Sequence, residues 1–485
     1  MTKTVILGAG VAGHTAALHL RRMLGNEHEV IVVSPNSKWN WIPSNIWVGI
    51  GQMSVKQVTF LLAPIYKRKG ITFHQAFATE LHGEGDSATD KPYVSVRYTD
   101  TNHKGEFGKI EYDFLINATG PKLNFSATPG LGPDGNSWSV CTASHAEETA
   151  KEFVKVLDKL KAGHPQTFLI GMGHGTCTCQ GAAFEYTFNV EHELTKEGVR
   201  DKAEVIYITN EERLGDFGMD GMNFGIKGKI VSSQTFTESL FQERNVKAIM
   251  SAAIEKVEPG VAHYELVDGT KGQQFFDFAM LLPPFRGADL KAFDRTGNDV
   301  SDQVFAPSGF MKVDADYAAK PYEEWKASDW PSTYQSLKYD NVWAAGIAFA
   351  PPHQMSRPRK SPSGTVIAPA PPRTGMPSGV IGRAVAKSIA ERVKHGESAK
   401  VYTASMADMG AACIASAGKG WRTGQAASMT VFPIIPDSEK YGDLGRDTTQ
   451  TYGEIGLSAH WMKVMLHYLF IYKAKARPLW YLIPE

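Results

Sequence analysis

A glycine-rich turn between an apolar strand and an apolar helix limits this chain more than any other feature. Val5-Ile6-Leu7 leads into Gly8-Ala9-Gly10-Val11-Ala12-Gly13, and Val11 to Leu24 carries apolar residues at helical spacing. Val30-Ile31-Val32-Val33 follows as a second strand. Gly8, Gly10 and Gly13 fall at the G-x-G-x-x-G positions of a dinucleotide-binding βαβ unit. They let backbone approach a pyrophosphate, and the helix N-terminus favours its charge. An acidic residue normally ends the second strand and bonds the ribose. Ser34 stands there instead and offers one hydrogen bond.

The pattern recurs and then breaks. Gln166 to Ile170 reads as an apolar strand, followed by Gly171-Met172-Gly173-His174-Gly175. Thr176 occupies the third glycine position, and Cys177-Thr178-Cys179 comes next. A helix is expected from about Gly181 to Lys196, and a second strand at Val205-Ile206-Tyr207-Ile208. The spacing predicts an α/β protein with two Rossmann-like units, the second carrying sulfur where a nucleotide would lie. The expected division is 1–145 for the first part of the dinucleotide-binding domain and 146–300 for the second Rossmann-like domain. Residues 301–395 return to the first domain, and 396–485 form a C-terminal region. A helix over 148–162, rich in Lys and Glu, reads as a solvated face. Asp316 to Lys338 and Met355 to Pro372 read as long surface loops, serving as lid, oligomer segment or ornament.

Composition narrows the function. The chain has 485 residues, with 51 basic and 51 acidic side chains, so charge gives no case for nucleic acid. No H-E-x-x-H or paired C-x-x-C occurs, so no metal site is expected. Four cysteines cannot make the disulfide framework of a secreted domain. The first strand begins so early that no signal peptide is expected, and no apolar run is long enough for a transmembrane helix.

Cys177 and Cys179 differ by two residues, which in extended backbone sends them to opposite faces. Cys177 is read as packing. Cys179 precedes a helix, whose N-terminal dipole favours a thiolate. Glu185, six residues on, reads either as a proton relay or as a solvated helix carboxylate. His145 reads as a proton donor or as a surface helix histidine.

From Ala459 to Tyr472 the polar residues are His460, Lys463 and His467, one narrow helical stripe in an otherwise apolar segment. Lys473, Lys475, Arg477, Trp480 and Tyr481 follow. An amphipathic helix too short to span, flanked by basic and aromatic residues, suits anchoring at a membrane interface, with a docked core helix or an oligomer contact as the alternative. Its apolar face is read as including Trp461, Val464, Met465, Phe470 and Ile471. Tyr468 and Phe470 are candidates to line a path for a lipid-soluble ligand. Removing residues from about Ser458 onward is expected to free the protein from membranes yet spare the sulfur chemistry.

Several local patterns together carry a resemblance. They are Gly8 to Gly13; Val140-Cys141-Thr142 with His145; and Cys179 with Gly181, Ala183 and Glu185. Pro283-Pro284-Phe285, Arg373-Thr374-Gly375 and Ala412-Cys413-Ile414 complete the set. Phe114 to Asn117 followed by Ala118-Thr119-Gly120 also resembles the second flavin motif of pyridine-nucleotide-disulfide-reductase folds. The chain resembles the sulfide:quinone oxidoreductases, relatives of flavocytochrome c sulfide dehydrogenase. The resemblance implies FAD as cofactor, held by the glycines above with Ser34, Ala118, Thr119, Gly120, Gly346, Ile347, Arg373, Thr374 and Gly375. Ile347 replaces the acid that usually follows Gly346.

It implies Cys179 and Cys413 as the redox pair. Cys141 is the third cysteine, which bonds the flavin in some members and aids polysulfur release in others. Glu185 and His145 are implied in proton handling. Leu214-Gly215-Asp216-Phe217-Gly218 departs from the family, which places His where Asp216 stands. The implied partners are sulfide, a membrane quinone, the lipid bilayer surface and further copies of the chain, at a peripheral site on the cell membrane. Rival readings are a type-two NADH:quinone oxidoreductase, a flavocytochrome-type sulfide dehydrogenase, and a non-catalytic flavin- or sulfur-binding protein.

Overall fold

Apolar runs buried on both faces read as parallel strands covered by helices. In the computed structural model Val5 to Leu7 and Val30 to Val33 are buried in this way. They lie at the centre of a five-stranded parallel sheet, ordered Val342–Ala344, Phe114–Asn117, Lys3–Leu7, Glu29–Val33, Thr72–His74. The structure describes residues 1–226, 228–372, 374–418, 420, 422 and 424–485. The strand expected before Gly346 thus brings the chain back to its first sheet after more than two hundred residues. The helices Val11–Leu24 and Gly375–His395 pack so closely that a Cβ at Gly382 would come within 2.4 Å of the Ala12 carbonyl.

A second parallel sheet is ordered Lys247–Ile249, Ala203–Ile208, Gln166–Met172, Phe278–Leu282. The helix Gln180–Lys196 follows its glycine turn. The helix Ala143–Lys161 starts earlier than expected, because Thr142 caps it by accepting a hydrogen bond from the His145 amide. Its Phe153, Val156, Leu157 and Leu160 face the core, leaving the Lys and Glu residues outside.

A third sheet is ordered Lys229–Ser232, Asn223–Ile226, Tyr452–Gly456, Gln425–Val431, Ala411–Ala417. It joins strands from the second unit to strands of the C-terminal region. The helix Leu457–Ala474 then folds back on it.

Two segments expected at the surface are built into the molecule. In the first, Trp330 and Tyr334 are buried, and the Tyr334 hydroxyl donates to the Ala404 carbonyl at 2.9 Å. Asp314 holds the turn by accepting from the amides of Thr333 and Tyr334 at 2.7 and 2.6 Å. In the second, Met355, Ile367 and Ala368 are buried. Their proline and serine content marked irregular backbone but said nothing of what that backbone covers.

Candidate functional site

The first glycine turn is shaped for a dinucleotide. Gly8 has φ +100°, and a Cβ there would lie 2.1 Å from the Ala118 carbonyl, so the turn presses against the next strand. By contrast, a Cβ at Gly10, Gly120 or Gly375 would meet nothing within 4 Å. The helices Val11–Leu24 and Gly375–His395 both begin without a side-chain cap and without an acid in the first turn. Two N-termini thus leave their amides open beside unfilled backbone, which suits the two phosphates of FAD. Ser34 is buried at the end of its strand, and Gly346, Ile347 and Thr374 line one cavity with Ser378. Thr119 donates its hydroxyl to Asn117 at 2.8 Å, which fixes the Ala118-Thr119-Gly120 turn. These residues fit FAD. Arg373 lies outside the described residues.

The second glycine turn is filled from within. A Cβ at Gly173 would meet Leu131 at 2.5 Å, and one at Gly175 would meet the Val366 carbonyl at 2.4 Å. Residues 366–371 run along this turn. Ala368 and Ala370 donate their amides to the carbonyls of Gly175 and Cys177, at 2.9 and 2.8 Å. Thr178 donates to the Pro371 carbonyl at 3.0 Å, and the Asn210 amide nitrogen bonds the carbonyls of Gly175, Cys177 and Ala368. The segment read as a surface loop therefore lies where a second nucleotide's phosphates would approach.

Sulfur takes that place. Cys179 caps the Gln180–Lys196 helix in a left-handed conformation, φ 76° and ψ 33°, rare for a residue with a Cβ. Cys413, in the strand Ala411–Ala417, reaches the same helix end: a Cβ at Gly181 would touch its Sγ at 3.0 Å. Two cysteines 234 residues apart in sequence are thus brought to one helix N-terminus, Cys179 as its cap and Cys413 against Gly181. Both residues are half-buried. Burial pushes the Cys413 thiol up to about 11, with the Glu185 carboxylate adding to the rise and Lys463 opposing it. Cys141 is half-buried, and its thiol is raised to about 11 by burial. Cys177 is fully buried and donates to the Leu282 carbonyl at 3.2 Å, as expected of a packing cysteine. It lies within electrostatic reach of both Cys179 and Cys141.

Glu185 is not a solvated helix carboxylate. It is buried and pairs with Lys463 at 2.9 Å, and it also accepts from the Ser416 amide at 3.2 Å. Burial raises its carboxyl, and Lys463 counters that rise. His145 packs edge-on against Phe125, with ring centres 5.8 Å apart, and burial lowers its basicity.

The C-terminal helix is inside out. His460, Lys463 and His467 are 0, 9 and 2% exposed, whereas Trp461, Met465 and Tyr468 are 45, 53 and 58% exposed. The polar stripe faces the core, where His460 bonds the Ser416 hydroxyl at 2.7 Å and His467 bonds Ser44 at 2.8 Å. The exposed positions 461, 465, 468, 469 and 472 form one helical stripe, and Leu479 and Leu482 extend it.

Several expectations about this face are corrected. Val464 is buried, and Phe470 turns inward to stack on Trp41, rings 4.8 Å apart. Phe470 and Tyr468 therefore leave the helix on different sides. Lys473 is also buried, bonded to Glu485 at 2.8 Å, and Trp480 packs on His19. No described helix is long and apolar enough to cross a membrane.

Residues 2–185 match the family described as pyridine nucleotide-disulphide oxidoreductase. The sulfide-quinone reductase of Aquifex aeolicus (strain VF5) is 27% identical over 472 residues, covering 97% of this chain and 90% of that protein. The mitochondrial sulfide:quinone oxidoreductase of Mus musculus is 24% identical over 352 residues, 71% of this chain and 65% of that protein. The X-ray structure of the A. aeolicus sulfide:quinone oxidoreductase matches with TM-score 0.74 at 26% identity, covering 98% of this chain and 92% of that one. NDH2 from Plasmodium falciparum matches with TM-score 0.64 at 13% identity, over 98% and 96%, which is a likeness of fold alone. Over nearly its whole length, in sequence and in fold, the chain is similar to the sulfide-quinone reductase of A. aeolicus.

Proposed function

We propose that this chain oxidises sulfide and passes the electrons to quinone, with Cys179 and Cys413 as the redox pair. One observation carries the reading. The second glycine turn is covered by residues 366–371, and the same turn ends in Cys179 beside Cys413. The donor that fits there is small and reacts with sulfur. HS⁻ attacks a Cys179–Cys413 disulfide, breaking the S–S bond to leave a persulfide on one cysteine and a thiolate on the other. The open helix N-terminus favours the thiolate. Bound FAD supplies the two-electron acceptor that links this sulfur to quinone. Cys141 is the third sulfur of the site. Lys463 keeps the buried Glu185 beside Cys413 charge-balanced.

The exposed apolar stripe supports docking on a bilayer surface at a peripheral, monotopic site. Exposed apolar area of this kind is covered by lipid at a bilayer surface, which also brings quinone with it. Association between copies of the chain through the same stripe is the competing use.

Anaerobic mixing of the FAD-loaded protein with sulfide or with NADH, followed by flavin absorbance, tests the donor. Sulfide is expected to bleach the flavin and NADH to leave it oxidised. Comparable bleaching by NADH would sink the reading.

A further inference from the structure

Two buried carboxyls lie beyond the cysteine junction, and the chemistry above gives neither a task. Glu211 follows the second strand of the second unit, Ala203–Ile208. A working nucleotide site keeps its ribose-binding acid near such a point, but here the nucleotide's place is filled. Glu211 accepts from the Phe217 amide and from the Thr209 hydroxyl, both at 2.8 Å. Asp216 accepts from the Gly218 amide at 2.8 Å and from the Ser356 hydroxyl. Consecutive amides of one turn therefore hold the two carboxyls as neighbours.

On its inner side Glu211 faces the Tyr207 hydroxyl at 3.4 Å, and that hydroxyl is also 3.4 Å from the Gln180 carbonyl. Gln180 adjoins Gly181, on which the Cys413 sulfur rests, and the sulfur's charge reaches Tyr207. Contacts of this length are common in a site without substrate and shorten with it. On the outer side Asp216 lines an open cavity of about 910 Å³, where carboxylates outnumber cations. That sign attracts protons and repels HS⁻ and polysulfide.

We infer that Tyr207, Glu211 and Asp216 relay a proton from the sulfur site outward to this cavity. The inference rests on the sulfide reading above. HS⁻ brings one hydrogen, which attack leaves on the persulfide as R–S–SH. Ionisation gives R–S–S⁻ and one proton. The proton passes along the hydroxyl and the two carboxyls to water in the cavity, and no electron travels that route. Burial, and then the charge of Asp216, raise the Glu211 carboxyl to about 7, so it accepts and releases protons near neutrality. Burial raises Asp216 as well. Tyr207 and Thr209 face the pair from within, and Arg213, Asp220, Tyr322 and Arg446 face it from the cavity side.

The test uses the FAD-loaded full chain, comparing wild type with Glu211→Gln and Tyr207→Phe. Tyr207→Phe keeps the ring packed on Phe241 and removes only the hydroxyl. Anaerobic stopped flow follows reduction by sulfide, and separately reoxidation by a soluble quinone, from about pH 5 to pH 9, the span around neutrality that a relay tuned to the working pH governs. Glu211 accepts protons when ionised, so wild-type reduction should rise with pH through about 7. Both variants should slow sulfide reduction by roughly tenfold to a hundredfold and flatten that limb, with reoxidation unchanged. Sulfide's own ionisation is common to all variants, so the difference between profiles is the readout. Imidazole buffer should restore part of the Glu211→Gln rate. If Glu211→Gln sheds FAD, Glu211→Asp replaces it and should keep the limb. Glu211→Gln with the wild-type rate and profile overturns this inference alone. A wild type that sulfide does not reduce overturns the sulfide reading with it.

Discussion

Cys179 holds a backbone conformation that costs an L-residue about 1–2 kcal/mol, and it holds it two residues before Gly181, against which the Cys413 sulfur packs. That geometry separates four substitutions. Cys179→Ser and Cys413→Ser should abolish sulfide-dependent turnover while FAD stays bound. Cys177→Ser should keep most activity, because a serine hydroxyl can donate to the Leu282 carbonyl as the thiol does. Cys179→Gly should be inactive yet more stable than Cys179→Ser by about 1 kcal/mol in urea unfolding. Activity lost equally in Cys177→Ser would reverse the choice between the two neighbours. At this scale much of the site was legible. A threonine in place of a fingerprint glycine, with cysteines directly after it, is a local signal, and so is Ser34 at the end of a strand. Glu211 was not legible, because its meaning depends on burial beside Asp216, and neither residue advertises burial in sequence. Lys463 was visible as part of a polar stripe, but its partner lies 278 residues away.

The helix Leu457–Ala474 shows how an amphipathic pattern can be read correctly and oriented only by structure. Sequence gives the stripe and its width. Which side meets the core follows from the partners that wait there: Glu185 for Lys463, Ser416 for His460 and Ser44 for His467. This changes the expected result of truncation. Removing residues from Ser458 onward would leave Glu185 buried without its cation, a defect of about 3–5 kcal/mol. Such a protein should lose FAD and fold poorly rather than keep its sulfur chemistry. Charges on the exposed stripe make a cleaner probe. The triple variant Trp461→Glu, Met465→Lys, Tyr468→Glu should keep FAD and be reduced by sulfide at the wild-type rate, yet fail to sediment with lipid vesicles. If it still sediments, the stripe is not the docking surface. A wild type that ignores vesicles but dimerises, with the variant monomeric, would assign the stripe to association between copies.

At the scale of the molecule, the first sheet takes strands from residues 3 to 344, and the third takes strands from 223 to 456. Neither sheet can be withdrawn without breaking the other's surroundings. Loss of helical circular dichroism and release of FAD should therefore coincide in one urea transition, an unusual result for a chain of this length. Two separated transitions would show that the units fold apart. The glycine turns and apolar strands made the two parallel sheets legible. The third sheet was not, since its strands are short, far apart in sequence and paired by tertiary context. The segment at 366–371 was seen as irregular and misjudged as outward-facing, because proline and serine report backbone shape and not what it covers. Its placement has a consequence for the cell. Chains built on this fold with two open nucleotide turns exchange electrons with the common pool of soluble hydride carriers. Here the chain's own backbone packs on the second turn. With sulfide as donor, as proposed above, the traffic through the flavin is isolated from the NADH balance, and sulfide is cleared whether that pool is full or empty.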